Sequence, residues 1–248
     1  MPTRRIAAIA RSIAAIVAAL LAAGCAPALP SISGGSTTPH DRFDLALGIA
    51  ARAPALDLGR TEALGTDELL RLSGPGGVVP VGAFRIGVGS IELGAIVAGT
   101  SGRLELRAGG ALSGIAHWHI GAALGAGYRR ADPQTSALGD ELGAVEGHHL
   151  GLLVPVGIGA SLGGVFELWG TLRLGADRLE GWVQPGRFGE AWALRAGLAV
   201  GLGVGFRRVH VLLELPVDVE YVNGQLAGIP LERSGLALTP TAALRLRF

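Results

Sequence analysis

A period of two in hydrophobicity runs from Trp192 to Tyr221, and it constrains the fold more than any other feature of the sequence. Successive side chains of a β-strand point to opposite faces, so such a period predicts strands. The intervening positions of the first segment are mostly Gly and Ala, and those of the second include Glu214, Asp218 and Glu220. We therefore predict two antiparallel strands joined by a tight turn at Arg207-Arg208, each with one apolar face. The apolar positions are Trp192, Leu194, Ala196, Leu198, Val200, Leu202, Val204 and Phe206, then Val209, Val211, Leu213, Leu215, Val217, Val219 and Tyr221.

The length of these strands points to a membrane. Strands of soluble sheets usually have roughly five to six residues, whereas a tilted strand needs about nine to eleven to cross a bilayer. Aromatic side chains stand at the strand ends, at Trp192, Phe206 and Tyr221, where they suit the two membrane interfaces. The pattern predicts an all-β fold, an antiparallel up-and-down transmembrane β-barrel with its apolar face towards lipid.

Membrane-spanning helices are the competing interpretation. Hydrophobic residues make up 49% of the chain, mean hydropathy is +0.46, and Ala108–Tyr128 and Leu150–Phe166 contain no charged side chain. Both stretches are rich in glycine, and the second contains Pro155. An interior glycine costs a helix about 1 kcal/mol and a proline about 3 kcal/mol, so strands are favoured.

Weaker alternation elsewhere predicts about ten strands, or eight if two segments between Gly82 and Gly109 merge. An even number of strands, with long loops at every second connection and therefore at one end, is typical of bacterial outer-membrane barrels. We predict loops at residues 54–77, 129–146, 180–189 and 223–234, the first containing a short helix at 67–72. The first two loops should lie at the same end. Further strands are predicted near Phe43, Gly82, Ile91, Arg103, Trp118, Leu150, Phe166 and Leu238.

The N-terminus carries a targeting signal. Arginines followed by an apolar run at 13–23 predict a secretory signal peptide over residues 1–24. Leu21-Ala22-Ala23-Gly24-Cys25 resembles the lipobox of bacterial lipoproteins, with Ala22 where leucine is usual. The resemblance implies acylation of Cys25, the single cysteine; ordinary cleavage near residues 26–28 is the alternative. Residues 25–41, rich in Pro, Gly, Ser and Thr, are predicted to be a flexible tether, and 42–248 the barrel.

The last strand carries a second signal. Leu244, Leu246 and Phe248 alternate with polar or small residues, and Phe248 is the final residue given. This resembles the C-terminal signal of bacterial outer-membrane proteins, and the chain is similar to small barrels of the OmpA/OmpX-like kind. The resemblance implies an outer-membrane location, with lipids and the barrel-assembly machinery as partners. By fold alone it implies no activity.

The polar faces predict a charged lumen. Interiors of small barrels are filled by side chains, whereas open aqueous channels need about sixteen strands. Mixed charges in so narrow a space should pair, because an isolated buried charge is costly. We predict a lumen network that includes Arg195, Glu214, Asp218, Arg245 and Arg247. The other residues predicted to face inwards are Asp44, Arg85, Glu92, Arg103, Glu105, Arg107, Glu167, Arg173 and Glu220.

Motifs for chemistry are weak, so no catalytic residue, metal or cofactor is predicted. Residues 159–163 spell the G-x-S-x-G elbow around Ser161, followed by Asp177 and His210, but the elbow requires a helix where the pattern predicts a strand. His117 and His119 share a face without a third ligand nearby.

The composition also narrows the function. No basic run is interleaved with stacking aromatics, so nucleic acid is not an expected partner. We expect a non-enzymatic outer-membrane barrel with a structural or surface-interaction role. A narrow channel or small-ligand transporter is the first alternative, and a lipid-modifying barrel enzyme is the second.

Overall fold

Alternating side chains continue through eleven strand segments. The computed structural model describes residues 32, 34–60, 77–131, 145–183, 186–206, 208–226 and 229–248. Within these ranges no helix is long and apolar enough to cross a membrane. The segments are β1 (Phe43–Arg60), β2 (Gly77–Val88), β3 (Ile91–Ala98), β4 (Ser101–Ala111), β5 (Ala116–Ala131), β6 (Val145–Leu162), β7 (Phe166–Val183), β8 (Gly186–Phe206), β9 (Val209–Leu226), β10 (Ile229–Leu238) and β11 (Thr241–Arg247).

The segments close into a barrel of ten strands, because β10 and β11 are two parts of one strand. Both parts pair with β9 on one side and with β1 on the other. β1 also pairs with β2, and antiparallel pairing of sequence neighbours continues from β2 to β9. The prediction of about ten antiparallel strands is confirmed, and the count of eight is wrong.

Prolines explain the break in the last strand. The Thr239 amide donates to the Pro216 carbonyl at 3.0 Å, and the Ala51 amide donates to the Pro240 carbonyl at 2.9 Å. Neither proline nitrogen can donate the return bond of the ladder. The Thr241 hydroxyl instead donates to the Thr239 carbonyl at 3.2 Å. Regular pairing therefore stops at residues 239–240 while the wall stays continuous.

The two ends of the barrel differ. Short turns at 89–90, 112–115, 163–165 and 207–208 share one end with the start of β1 and the end of β11. The opposite end carries connections of 16 residues (61–76) and 13 residues (132–144), on the same side as predicted. Outer-membrane barrels have short periplasmic turns and long external loops, so the first end is periplasmic.

Several predicted loop boundaries are wrong. β1 continues past Pro54 to Arg60, and β9 and β10 fill most of the predicted loop at 223–234. β7 and β8 likewise occupy most of 180–189. The strands are longer than a membrane crossing requires, so their outer ends need no apolar face and carry polar and turn-forming residues. The helix predicted at 67–72 lies outside the described residues.

The outer surface is apolar between two aromatic girdles. Trp182, Trp192 and Tyr221 mark the external end, and the rings of Phe43 and Phe248 stack at 4.8 Å at the periplasmic end. Exposed aliphatic side chains between the girdles form the lipid face. They include Leu47, Ile49, Leu104, Leu124, Leu152, Leu172, Leu198 and Leu213.

Candidate functional site

The charged side chains of the lumen include eight acids and eight arginines within the described chain. The same alternation that exposes aliphatic residues outside turns these side chains inwards, where most are buried. The eight acids are Asp44, Glu92, Glu105, Glu167, Asp177, Glu214, Asp218 and Glu220, and the eight arginines are Arg52, Arg85, Arg103, Arg107, Arg173, Arg195, Arg245 and Arg247.

One cluster lies near the periplasmic end, between β1, β7 and β11. Arg245 donates two hydrogen bonds to Glu167, from Nη2 to Oε1 at 2.6 Å and from Nη1 to Oε2 at 3.0 Å. Arg247 binds Asp44 in the same manner, and its Nη1 lies 3.6 Å from Glu167. This bidentate geometry is the strong form of an arginine–carboxylate pair.

A second cluster lines β2, β3 and β4. Glu92 contacts Arg107 and lies 3.2 Å from Nε of Arg85. Glu105 pairs with Arg103 at 2.8 Å and with Arg85 at 3.4 Å. Arg85 thus bridges two carboxylates, so removing it would leave two buried negative charges less compensated.

An aromatic ring fills the lumen next to the periplasmic cluster. Trp169, which is 2% exposed, donates from its indole nitrogen to Glu214 at 2.9 Å. A Cβ added to Gly201 would overlap this indole, so the ring requires glycine on the neighbouring strand. Arg173 pairs with Asp218 at 3.2 Å further along.

The external part of the lumen holds a third cluster. Arg195 contacts Asp177 and lies 3.2 Å from Glu220, which in turn contacts Arg52. His149 Nε2 lies 3.2 Å from Asp177. The acids here alternate with arginines across β1, β7, β8 and β9.

The five residues predicted for the lumen network all face inwards, at different depths of the lumen. Arg245 and Arg247 belong to the periplasmic cluster and Arg195 to the external one. Glu214 and Asp218 lie between them, each with its own partner.

The residues considered for a catalytic triad or a metal site do not lie together in the barrel. Ser161 pairs with Glu167 near the periplasmic turn, whereas Asp177 stands ten residues further along β7. At about 3.3 Å per residue this separates them by roughly 33 Å, so Ser161, Asp177 and His210 form no triad. His119 is buried with Nε2 3.4 Å from the Thr171 hydroxyl, and the described residues contain no group of three metal-ligating side chains.

The targeting residues are only partly described. Cys25 lies outside the described residues, so its acylation stays a prediction. Leu244 and Phe248 are exposed on the lipid side of the last strand, and Leu246 is half-buried. The amide of Phe248 donates to the Phe43 carbonyl at 2.9 Å, which joins the first and last barrel strands at their ends.

A closed ten-stranded barrel with an apolar exterior, two aromatic girdles and a charged interior is a bacterial outer-membrane β-barrel. The architecture, rather than any sequence motif, defines this class.

Comparison with known proteins found similarity to solved structures alone. No protein-family model and no curated protein sequence matches the chain. Among solved structures the chain is similar to the outer membrane protease OmpT of Escherichia coli, with 13% identity over 86% of this chain and 98% of that one (TM-score 0.49). It is also similar to Ail of Yersinia pestis, with 13% identity over 85% and 100% (TM-score 0.31). A third similarity is to the toluene transporter TbuX of Ralstonia pickettii, with 10% identity over 88% and 92% (TM-score 0.34). At these values the similarities assign no activity.

Proposed function

We propose that the chain is a non-enzymatic outer-membrane barrel with a structural or surface-interaction role, and that its lumen is not an open pore. The observation that supports the proposal is the filling of the lumen, where buried arginines pair with buried acids near the periplasmic end, along β2–β4 and near the external end. Trp169 occupies the space between the periplasmic and external layers.

Opening such a lumen is energetically unfavourable. An ion path would require arginine–carboxylate pairs to separate at several depths, and leaving one buried charge without its partner typically costs about 3 to 5 kcal/mol. Barrels of around eight strands are filled by side chains, and aqueous channels occur near sixteen strands. Ten strands with this filling favour a closed interior.

Conductance in planar lipid bilayers tests the closed state. We expect the purified barrel to leave the bilayer at its baseline conductance, while a sixteen-stranded porin inserted in parallel gives stepwise currents. Discrete, reproducible steps from the barrel, at a frequency proportional to its concentration, would refute the proposal.

The structural and surface roles can be separated by complementation. In a strain lacking the protein, a barrel with residues 61–76 and 132–144 replaced by short glycine–serine turns retains the wall but not the external connections. Restored resistance to detergent would support a structural role. Restoration by the full-length chain alone would support a role of the external end.

A second candidate is exchange of a small apolar ligand with the membrane. A depression of about 560 Å³ opens on the lipid side beside Ala51, Pro240 and Ala242, where the last strand is broken, and lumen-facing Gly201 and Glu214 also line it. Ala51→Leu should slow equilibration of an apolar fluorescent probe into vesicles if this route is used. Ala95→Leu, on the lipid face of β3, is the matched control.

A further inference from the structure

The described part of the predicted tether lies inside the periplasmic mouth of the barrel. Starting near β2, the segment passes Gly87 at Thr38 and Pro39, reaches Gly109 of β4 at Thr37, and passes Gly159 of β6 at Gly35. Gly34 then lies beside the Arg245 guanidinium. The segment thus crosses the mouth from one wall to the other.

Two lumen carboxylates hold this segment. Both the backbone amide and the hydroxyl of Thr38 donate to Oε2 of Glu92, at 2.6 and 2.8 Å. The amide of Gly35 donates to Oε2 of Glu167 at 3.5 Å. Each of these carboxylates also binds an arginine, Arg107 or Arg245. The segment therefore completes the coordination of two buried charge pairs.

The wall is shaped to the segment. A Cβ on Gly87 would overlap the carbonyl oxygens of Thr38 and Pro39, and a Cβ on Gly159 would overlap the backbone of Gly35. At both positions the three nearest atoms to that Cβ all belong to the segment. Glycine is the residue that permits so close a backbone approach. An empty mouth would place no such demand on β2 and β6.

Ile32 extends the contact into the lumen. Its side chain is 1% exposed and belongs to an apolar cluster with Trp169, Leu212 and Ala83. The polar residues of the segment thus cover the mouth while one large apolar side chain is buried above them. Hydrogen bonds and apolar burial hold the segment at two depths.

We propose that Ile32 and residues 34–40 form a plug that enters the barrel from its periplasmic end and seals the lumen there. Glu92 and Glu167 anchor the plug, and Gly87 and Gly159 provide the space that it occupies. The charge-paired layers close the lumen beyond the plug, so the plug's specific effect is to shield the lower lumen from the periplasm.

Disulfide trapping tests where the plug sits. In a Cys25→Ala background, which removes the single native thiol, Thr37→Cys is combined with Gly109→Cys. The Thr37 side chain lies 2.7 Å from the Cβ position of Gly109, which brings the two within reach of a disulfide. Thr37→Cys with Ala191→Cys, which is buried near the external end of the lumen, is the control. We expect the first pair to cross-link in folded barrel in vesicles and the control not to. A folded barrel in which the first pair cross-links no better than the control would overturn the proposal.

Thiol accessibility tests the seal without altering a glycine. Ala83→Cys in the Cys25→Ala background places a thiol on the lumen side of the plug, where Ala83 is 3% exposed. Because exposure controls thiol modification, we expect a charged thiol reagent to label it at least roughly tenfold faster when residues 34–38 are deleted. Equal labelling rates with and without these residues, in barrels that both show the heat-modifiable band shift, would overturn the proposal.

Discussion

Substitution of Glu167 by glutamine removes the charge that compensates Arg245 and keeps the size of the side chain. Both side chains of the pair are 2% exposed, so water cannot replace the lost carboxylate. Removing one partner of a buried ion pair typically costs about 3 to 5 kcal/mol, because the other charge stays buried. The glutamine oxygen can still accept one hydrogen bond, so we expect a loss of about 3 kcal/mol in the free energy of unfolding, at the lower end of that range.

A matched control lies on the outer surface of the same strand. Glu180 pairs with Arg178 at 2.9 Å, but these side chains are 21% and 43% exposed. Exposed pairs contribute about 0 to 1 kcal/mol. We therefore expect Glu180→Gln to change the free energy of unfolding by less than about 1 kcal/mol.

Urea unfolding in lipid vesicles, followed by tryptophan fluorescence, measures both variants. With a slope of about 1 to 3 kcal/mol per molar urea, a loss of 3 kcal/mol lowers the midpoint by at least about 1 M. If Glu167→Gln and Glu180→Gln lower it equally, the lumen pair is not desolvated and the argument for a closed interior fails.

Three further changes test the lipid face, the packing of the lumen and assembly. Leu198→Arg places a charge near mid-membrane and should cost about 2 to 4 kcal/mol in the same unfolding assay; a loss below 1 kcal/mol would contradict the assignment of faces. Gly201→Ser should lower the unfolding midpoint, because its Cβ would overlap the Trp169 indole, whereas Gly170→Ser, with open space around it, should not. Deletion of Phe248 should reduce the heat-modifiable barrel in cells more than in refolded material, and equal assembly of both chains in cells would argue against a targeting role.

The strands that cross the membrane could be predicted from sequence because one physical demand acts on every second residue. Lipid selects apolar side chains at Leu198 and its neighbours, and the lumen selects small or charged ones. Beyond the membrane that demand ends, and β1 past Pro54 and β9 at Asn223 therefore have no alternation to reveal them. Their pairing depends on backbone hydrogen bonds, which leave little trace in composition.

The charged residues that face the lumen could be predicted from the sequence, but the ion pairs that they form could not. Which acid meets which arginine depends on barrel register, and Arg245 meets Glu167 from 78 positions away. The plug could not be predicted either, because its Gly, Ser, Thr and Pro residues are typical of flexible tethers. Gly87 and Gly159 face inwards on the barrel wall, and the plug explains both glycines, because its backbone occupies the space that a Cβ would need.

The contact between Phe43 and Phe248 has a kinetic consequence. Each donates its backbone amide to the other's carbonyl, at 3.2 and 2.9 Å, and this exchange forms the periplasmic end of the seam between β1 and the last strand. Nearly every other strand pairs with its neighbour in sequence, so hairpins can form from local contacts. The seam between β1 and the last strand forms only after the two ends of the barrel meet. Such non-local contacts bring the largest loop-closure entropy and slow folding. Closure of this seam should therefore be the late, rate-limiting event of assembly, and its opening the first event of unfolding.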